Sequence, residues 1–131
     1  MAEYDLMPVH VPKVETKYRS IKTAIPVPES IPIYDELQKT EPRSMRGQPP
    51  VVWHKADMAT IYDKWGNRWI DWSSGVLVAN AGHGRQEIVD AIEETIRQGL
   101  LASYVFVHEK RARLTEILRD LSPNPESYQV P

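Results

Sequence analysis

Histidines are the side chains of this sequence most able to do chemistry, because imidazole can bind a metal or exchange a proton near neutral pH. The four are His10, His54, His83 and His108. They lie far apart, and none forms the pair four residues apart that holds zinc on a helix. The chain has no cysteine, so thiolate zinc sites and disulfide bonds are excluded. We therefore expect no metal site.

A second candidate is Gly82-His83-Gly84, which precedes a predicted helix and is similar to the start of a phosphate-binding turn. At the spacing of the dinucleotide-binding fingerprint, the third glycine would fall at Glu87, whose carboxylate repels phosphate. No Gly-x-x-x-x-Gly-Lys is present. A tight connection between a strand and a helix is the favoured interpretation.

Nucleophilic and acid–base arrangements are also missing. Ser73-Ser74-Gly75 lacks the Gly-x-Ser-x-Gly pattern of a nucleophile elbow. Asp63 and Asp71 are better explained as a turn residue and a residue on one face of a strand. The residues by themselves therefore give no catalytic constellation.

Three tryptophans, Trp65, Trp69 and Trp72, could stack on bases or sugars. The formal charge of −2 gives no reason to expect nucleic acid or an anionic membrane surface, so packing in a core or an interface is favoured. No apolar run approaches the roughly 18 residues of a membrane span, and the first residues lack the layout of a signal peptide. We expect a cytoplasmic protein with no nucleic-acid or membrane partner.

The elements that must position these residues centre on a hairpin within residues 60–84. Residues 60–62 are predicted to form a short strand. Residues 63–66 have the chemistry of a type I turn, with Gly66 where a positive φ is needed. Residues 68–72 then form the return strand, with side chains alternating between its two faces.

Residues 1–50 hold eight of the eleven prolines and no sustained hydrophobic period, which excludes helix across most of this segment. One short helical turn fits at 33–38. A disordered tail and an extended arm docked on another surface are both open, and the docked arm is favoured because the segment is more apolar than a linker needs. A strand is predicted to start at 51–54, after Pro49-Pro50.

Two amphipathic helices are predicted after the hairpin. Residues 86–98 place apolar side chains three and four apart, and Gly99 marks the end of this helix. Residues 109–121 show the same spacing, and the connection at 100–107 is β-prone. The two apolar stripes are Ile88, Val89, Ile92 and Ile96 in the first helix, and Leu114, Ile117, Leu118 and Leu121 in the second.

Together these elements predict an α+β fold. At 131 residues, the chain is one domain at most. We divide the chain into a Pro-rich extended arm over 1–50, a segment over 51–123 with a small antiparallel hairpin or sheet and the two helices, and the start of an unfinished strand over 124–131. The part able to build a core is near the size at which a single core is only marginally stable.

The order of these features resembles one family closely. The matching runs are residues 61–72, Ser74-Gly75-Val76, Asn80-Ala81-Gly82-His83 and residues 88–92. They resemble the N-terminal region of class III aminotransferases, the pyridoxal-phosphate (PLP) enzymes of fold type I that include acetylornithine, ornithine and 4-aminobutyrate aminotransferases. The resemblance covers about residues 50–123. One departure is Gln86, where the family often has a proline.

The resemblance implies fold type I architecture and an enzyme that moves an amino group between an amino acid or amine and a 2-oxo acid. It implies PLP as the cofactor of the full-length enzyme and a homodimer as its assembly. The family's phosphate turn, its aspartate on the pyridine nitrogen and its Schiff-base lysine lie later in the family's sequence, and none of the seven lysines here matches that lysine. We therefore expect an N-terminal fragment, inactive on its own, with no catalytic or cofactor-binding residue and no cofactor bound to this chain alone.

Two substrate-binding positions carry over from the resemblance. Val76 matches a position that lines the substrate side of the pocket, and Tyr104 matches a second one on the connection after the first long helix. Their implied roles are a wall and a hydroxyl that orient an amino-acid or amine substrate, and ordinary packing is the alternative for both. The implied partners are the remainder of the enzyme and a second subunit.

A hypothesis of another class is a stand-alone module that binds a protein partner. It would use the Pro-rich arm and the tryptophan-rich surface, and it needs no cofactor.

Overall fold

The structure, a computed structural model, describes residues 4–45, 47–100, 102–103 and 105–129. It divides into two units, of which the first ends at Ile88 and the second begins at Val89. The first unit holds an antiparallel sheet, and the second is helical in its regular structure among the described residues. The predicted α+β class with a small antiparallel sheet is therefore confirmed.

The sheet has five short strands in the order β1-β2-β5-β4-β3, and every neighbouring pair is antiparallel. Its core face holds Ile61, which is 1% exposed. The strands are β1 Val14–Glu15, β2 Ser20–Ile21, β3 Lys55–Asp57, β4 Thr60–Tyr62 and β5 Arg68–Ile70.

The predicted hairpin is present between β4 and β5. Gly66 has φ +88°, and the Asp63 carboxylate accepts hydrogen bonds from the backbone amides of Trp65 and Asn67 at 2.8 and 2.9 Å. The return strand is shorter than the predicted 68–72 and ends at Ile70. It ends there because the next side chain, an aspartate, bonds backbone amides further along the chain and turns the backbone out of the sheet.

The arm is docked on the sheet of its own chain. β2 pairs with β5, so that Ser20 lies opposite Arg68, and β1 extends the sheet beyond β2. The side-chain oxygen of Asn67 accepts the backbone amides of Lys22 and Thr23 at 2.8 and 3.3 Å. These contacts show an ordered arm rather than a free tail over this part of residues 1–50.

Two predictions in the first half of the chain are corrected. The helical turn expected at 33–38 is a ten-residue helix, α1 Ile31–Thr40, because a proline is tolerated in the first turn of a helix, where Pro32 lies. The strand expected at 51–54 lies instead at β3, because the hairpin fixes its register against β4. Short 3-10 turns flank α1 at Pro28–Ser30 and Arg43–Met45.

Both amphipathic helices are confirmed to within one residue at each end. They are α2 Gln86–Arg97 and α3 Glu109–Asp120. Gly99 has φ +74°, the left-handed conformation that ends a helix. His108 caps α3, since its ring Nδ1 accepts the backbone amide of Lys110 at 3.1 Å.

The strand-like interpretations in the second half are not supported. Between 100 and 107 the described residues contain a turn and no strand, with the amide of Phe106 donating to the carbonyl of Ser103 at 2.8 Å. Residues 125–127 form a turn, in which the Ser127 amide donates to the Asn124 carbonyl at 3.2 Å, and residues 128–129 are not in a strand. The prolines around Asn124 favour a turn over a strand. The remainder of the predicted strand lies outside the described residues, and the limits 1–50, 51–123 and 124–131 stay a prediction.

The hairpin turn yields a test of the fold. A Cβ added at Gly66 would meet nothing closer than 3.9 Å, so Gly66→Val is penalised by the positive φ alone. We expect it to lower the free energy of unfolding by roughly 1–3 kcal/mol. Urea denaturation followed by tryptophan fluorescence measures this change.

The matched control is Gly66→Asn, because asparagine adopts a positive φ more readily than valine does. It should lose clearly less stability than Gly66→Val. Equal stability of Gly66→Val and the parent chain would show that the turn assignment is wrong.

Candidate functional site

Among the described residues, the longest run of unusual backbone is one turn shortly after β5, which we call the left-handed turn, Ser74–Leu77. Its four residues have φ of +51°, +59°, +63° and +66°. Only Gly75 adopts this conformation without penalty. For the other three, left-handed φ costs about 1–2 kcal/mol each, and Val76 is the least suited because it is β-branched. Strain of this kind is concentrated at functional sites.

The side chain of Asp71 holds the left-handed turn. One carboxylate oxygen accepts the backbone amide and the hydroxyl of Ser73 at 2.9 and 2.8 Å. The other accepts the backbone amide of Gly75 at 2.8 Å. The amide of Asp71 itself donates to the carbonyl of Ala59 at 2.9 Å, so that the turn is anchored to the segment between β3 and β4.

The third partner of the Asp71 carboxylate is the ring of His83, whose Nε2 lies 2.7 Å from the carboxylate oxygen that also accepts the amide of Gly75. The Asp71 side chain is only 2% exposed. Burial alone would raise the pKa of this carboxyl, but the hydrogen bonds from His83, Ser73 and Gly75 outweigh burial and lower the pKa from 3.8 to about 2. An ionised carboxylate can only accept, so Nε2 of His83 carries the hydrogen.

The position of His83 is fixed by the backbone and by packing. It forms a two-way bridge with Met58, with its amide and carbonyl bonded at 2.9 and 2.8 Å. Its ring packs nearly perpendicular to the Trp53 ring, with the two ring centroids 5.7 Å apart and an angle of 88° between the ring planes. Gly82 allows this close approach, since a Cβ there would lie 2.8 Å from Cε of Met58.

The left-handed turn presents apolar side chains to the surface. Val76 is 78% exposed and Leu77 is 76% exposed. Val76, predicted to line a substrate pocket, therefore stands on strained backbone with its side chain free. The second predicted position, Tyr104, lies outside the described residues.

The geometry assigns the Gly82-His83-Gly84 segment to a connection. The amide of Gly82 donates to the carbonyl of Ala79 at 2.8 Å, and that of His83 donates to Met58. Two of the three amides that a phosphate would use are thus already paired within the backbone. No group of three His, Asp or Glu residues placed to hold a metal occurs in the described part of the chain.

Comparison with known proteins gives the family. The family described as aminotransferase class-III matches residues 43–130. The chain belongs to this family. The matched range contains the left-handed turn, Asp71 and His83, so the geometry described above lies inside the class III region.

The relatives are aminotransferases over much longer chains. Acetylornithine aminotransferase of Clostridium acetobutylicum is 40% identical over 72 residues, which are 55% of this chain and 19% of that protein. 4-Aminobutyrate aminotransferase of Mycobacterium leprae is 29% identical over 106 residues, 80% of this chain and 24% of that protein. Mitochondrial ornithine aminotransferase of Arabidopsis thaliana is 32% identical over 72 residues, 55% of this chain and 15% of that protein. The chain thus spans at most about a quarter of the length of these relatives.

The pairing of Asp71 with His83 was missed by the sequence reasoning, which treated the two residues separately. They are twelve residues apart, and no periodicity rule links positions at that distance across a turn. The only signal was that both fall in the runs that carry the class III resemblance.

Among helices in the described ranges, none is long and apolar enough to cross a membrane.

The low pKa of Asp71 predicts an acid-sensitive contribution to stability. Its pKa is about 2 in the folded chain against an ordinary 3.8, so the carboxylate stabilises the fold fully above about pH 4, and this contribution is lost as the pH falls toward 2. Asp71→Asn should lower the free energy of unfolding at pH 7 by about 1–2 kcal/mol. Urea midpoints between pH 7 and pH 2 measure both effects.

Glu15 supplies the control, because the Ser20 hydroxyl also lowers the pKa of that exposed carboxyl. Glu15→Gln should keep the part of the acid slope that belongs to Asp71, while Asp71→Asn should remove it. An unchanged acid slope in Asp71→Asn would contradict the assignment.

Proposed function

We propose that these 131 residues are an N-terminal segment of a PLP-dependent aminotransferase of fold type I. The enzyme would move an amino group between an amino acid or amine and a 2-oxo acid. Support comes from class III membership over residues 43–130 and from relatives whose names are all aminotransferases. We place the enzyme in the cytoplasm as a homodimer, with the rest of the polypeptide and a second subunit as partners.

The observation that carries the proposal is the left-handed turn. It holds Val76 on strained backbone with its side chain 78% exposed, where a substrate can meet it. The role of Val76 is an apolar wall on the substrate side of the pocket. The role of Tyr104 is a hydroxyl that helps to orient the substrate.

This chain alone does not fit the cofactor. PLP chemistry requires a lysine whose amine reacts as the free base, which proteins obtain by burial or by a neighbouring cation. All seven lysines of the chain are exposed, and the amides of Gly82 and His83 are already paired. When bound in such enzymes, PLP supplies an electron sink. We propose that this segment does not supply the residues that hold PLP and that the segment alone is inactive.

The first test is reductive labelling. The chain is treated with PLP, reduced with borohydride and mapped by peptide analysis. We expect weak labelling spread over several exposed lysines, because no amine is set apart by burial. Transaminase assays of the same sample should show no turnover.

Protection by an amino-acid substrate serves as the control for this labelling. Unselective labelling should not change when substrate is present. One lysine modified stoichiometrically and protected by substrate would contradict the proposal that the chain lacks a cofactor site.

The second test is a chimera. The segment of the Clostridium acetobutylicum protein that corresponds to residues 43–130 is replaced by that of this chain. We expect the chimera to keep transaminase activity. Val76→Phe in the chimera should raise KM for the amino donor about tenfold, because an added ring fills the substrate side of the pocket.

Val78→Phe is the matched control. Val78 is also exposed, at 83%, but its φ of −102° places it beyond the left-handed turn. The same KM in both variants would contradict the role of Val76. Steady-state kinetics and PLP absorbance together separate a lost substrate contact from lost cofactor.

A stand-alone interaction module is the second candidate function. It is favoured by one observation, the exposure of Trp72 at 90% next to the apolar residues of the left-handed turn. A chimera that folds and binds PLP but has no transaminase activity would favour this module over the enzyme segment.

A further inference from the structure

We infer that His83 is a positioning residue: through Asp71 it holds the left-handed turn and so sets where Val76 stands. The link to catalysis rests on the proposed function. The link between His83 and the turn does not, because it follows from contacts within this chain.

The first step is that His83 is held independently of the turn it would control. Its backbone amide and carbonyl are both hydrogen-bonded to Met58, and its ring packs perpendicular to the Trp53 ring. The position of Nε2 is therefore fixed, and the hydrogen bond forms only where the carboxylate of Asp71 lies within reach of it.

The second step is that Asp71 divides its two oxygens between partners. One oxygen serves Ser73 alone, through its amide and its hydroxyl. The other is shared by Nε2 of His83 and the amide of Gly75. Without His83, a carboxylate that is 2% exposed keeps one donor fewer on that oxygen. A buried charge with fewer donors is drawn toward water, and the contact with Gly75 is the one that such a movement breaks.

The third step is that little else holds the turn in place. The amide of Leu77 donates to the carbonyl of Ser73 at 2.8 Å, and the amides of Val78 and Ala79 donate to that of Ser74 at 3.0 and 2.7 Å. The side-chain amide of Asn80 donates to the carbonyl of Leu77 at 3.1 Å. All four bonds are local to the turn. Val76 is 78% exposed, so packing does not hold its side chain. Three residues with left-handed φ that are not glycine disfavour the turn. The contacts of Asp71 are what fix it to the sheet.

The test compares two replacements of His83 that differ in where an N–H can lie. The amide nitrogen of glutamine can occupy the place of Nε2, whereas that of asparagine matches Nδ1 and does not reach Asp71. Two quantities are measured by NMR on the 131-residue chain: hydrogen-exchange protection of the Gly75 amide, and the coupling between the amide and Hα protons of Val76. Protection of the Ile61 amide in β4 reports the stability of the sheet and serves as the reference.

We expect His83→Asn to lower the protection of Gly75 relative to Ile61 by about tenfold or more, and to change the Val76 coupling. His83→Gln should retain most of both. Unchanged values in His83→Asn would overturn the inference. An equal loss in both variants would also overturn it, because the effect would then belong to ring packing against Trp53.

A second background keeps the test usable if His83→Asn unfolds the chain. In Val76→Gly the left-handed φ is adopted freely, so the turn depends less on Asp71. His83→Asn should then lower the protection of Gly75 less than it does beside valine, and an undiminished loss would overturn the inference. None of these measurements uses cofactor or substrate, so a failure of the proposed function leaves their outcome unchanged.

Discussion

The side chain of Asn67 is the contact on which the first unit depends. It is 1% exposed, and its amide fills every hydrogen-bonding position it has. The nitrogen donates to the hydroxyl of Thr23 and the carboxylate of Asp63, and the oxygen accepts the amides of Lys22 and Thr23. One buried amide thus joins the arm to the hairpin turn, and losing it would leave backbone amides unpaired in a buried site, which is costly.

Polar contacts carry this much weight because the apolar core is small. The buried hydrophobic residues among those described are Ile21, Val27 and Ile61, too few to specify one backbone path by packing alone. Asp71 has the same structural role at the end of β5 that Asn67 has at its start. Each is a buried polar group whose donors come from separate segments, and each therefore fixes those segments relative to one another.

The sequence was most informative where a rule is local. Hydrophobic spacing located α2 and α3, and the pattern from Asp63 to Gly66 located the hairpin turn. It could not reveal β1 and β2, because strands of two residues have no period to detect. It predicts too short a helix at α1, because the rule that prolines disfavour helix does not hold at the first turn, where they are tolerated.

The candidate site was predictable only in part, for a similar reason. Only the resemblance to a family pointed to Val76 as a site residue. No residue pattern predicts a run of left-handed φ over a serine, a valine and a leucine. That run exists because the carboxylate of Asp71 accepts backbone amides of residues that follow it. The carboxylate is ionised and oriented in part by His83, whose backbone is bonded to Met58. Such a chain of causes passes through contacts between residues distant in sequence, which periodicity and spacing do not encode.

An exposed residue on strained backbone would ordinarily relax, because nothing packs over Val76 to keep it in place. The contacts of Asp71 and His83 hold the turn without such packing, since both residues lie within the same unit as the turn. The wall that we propose for Val76 is therefore organised before any substrate arrives. Preorganisation of this kind lowers the entropy cost of ordering that binding would otherwise carry. It gives a reason why the buried carboxylate of Asp71 accepts so many hydrogen bonds next to an exposed apolar turn.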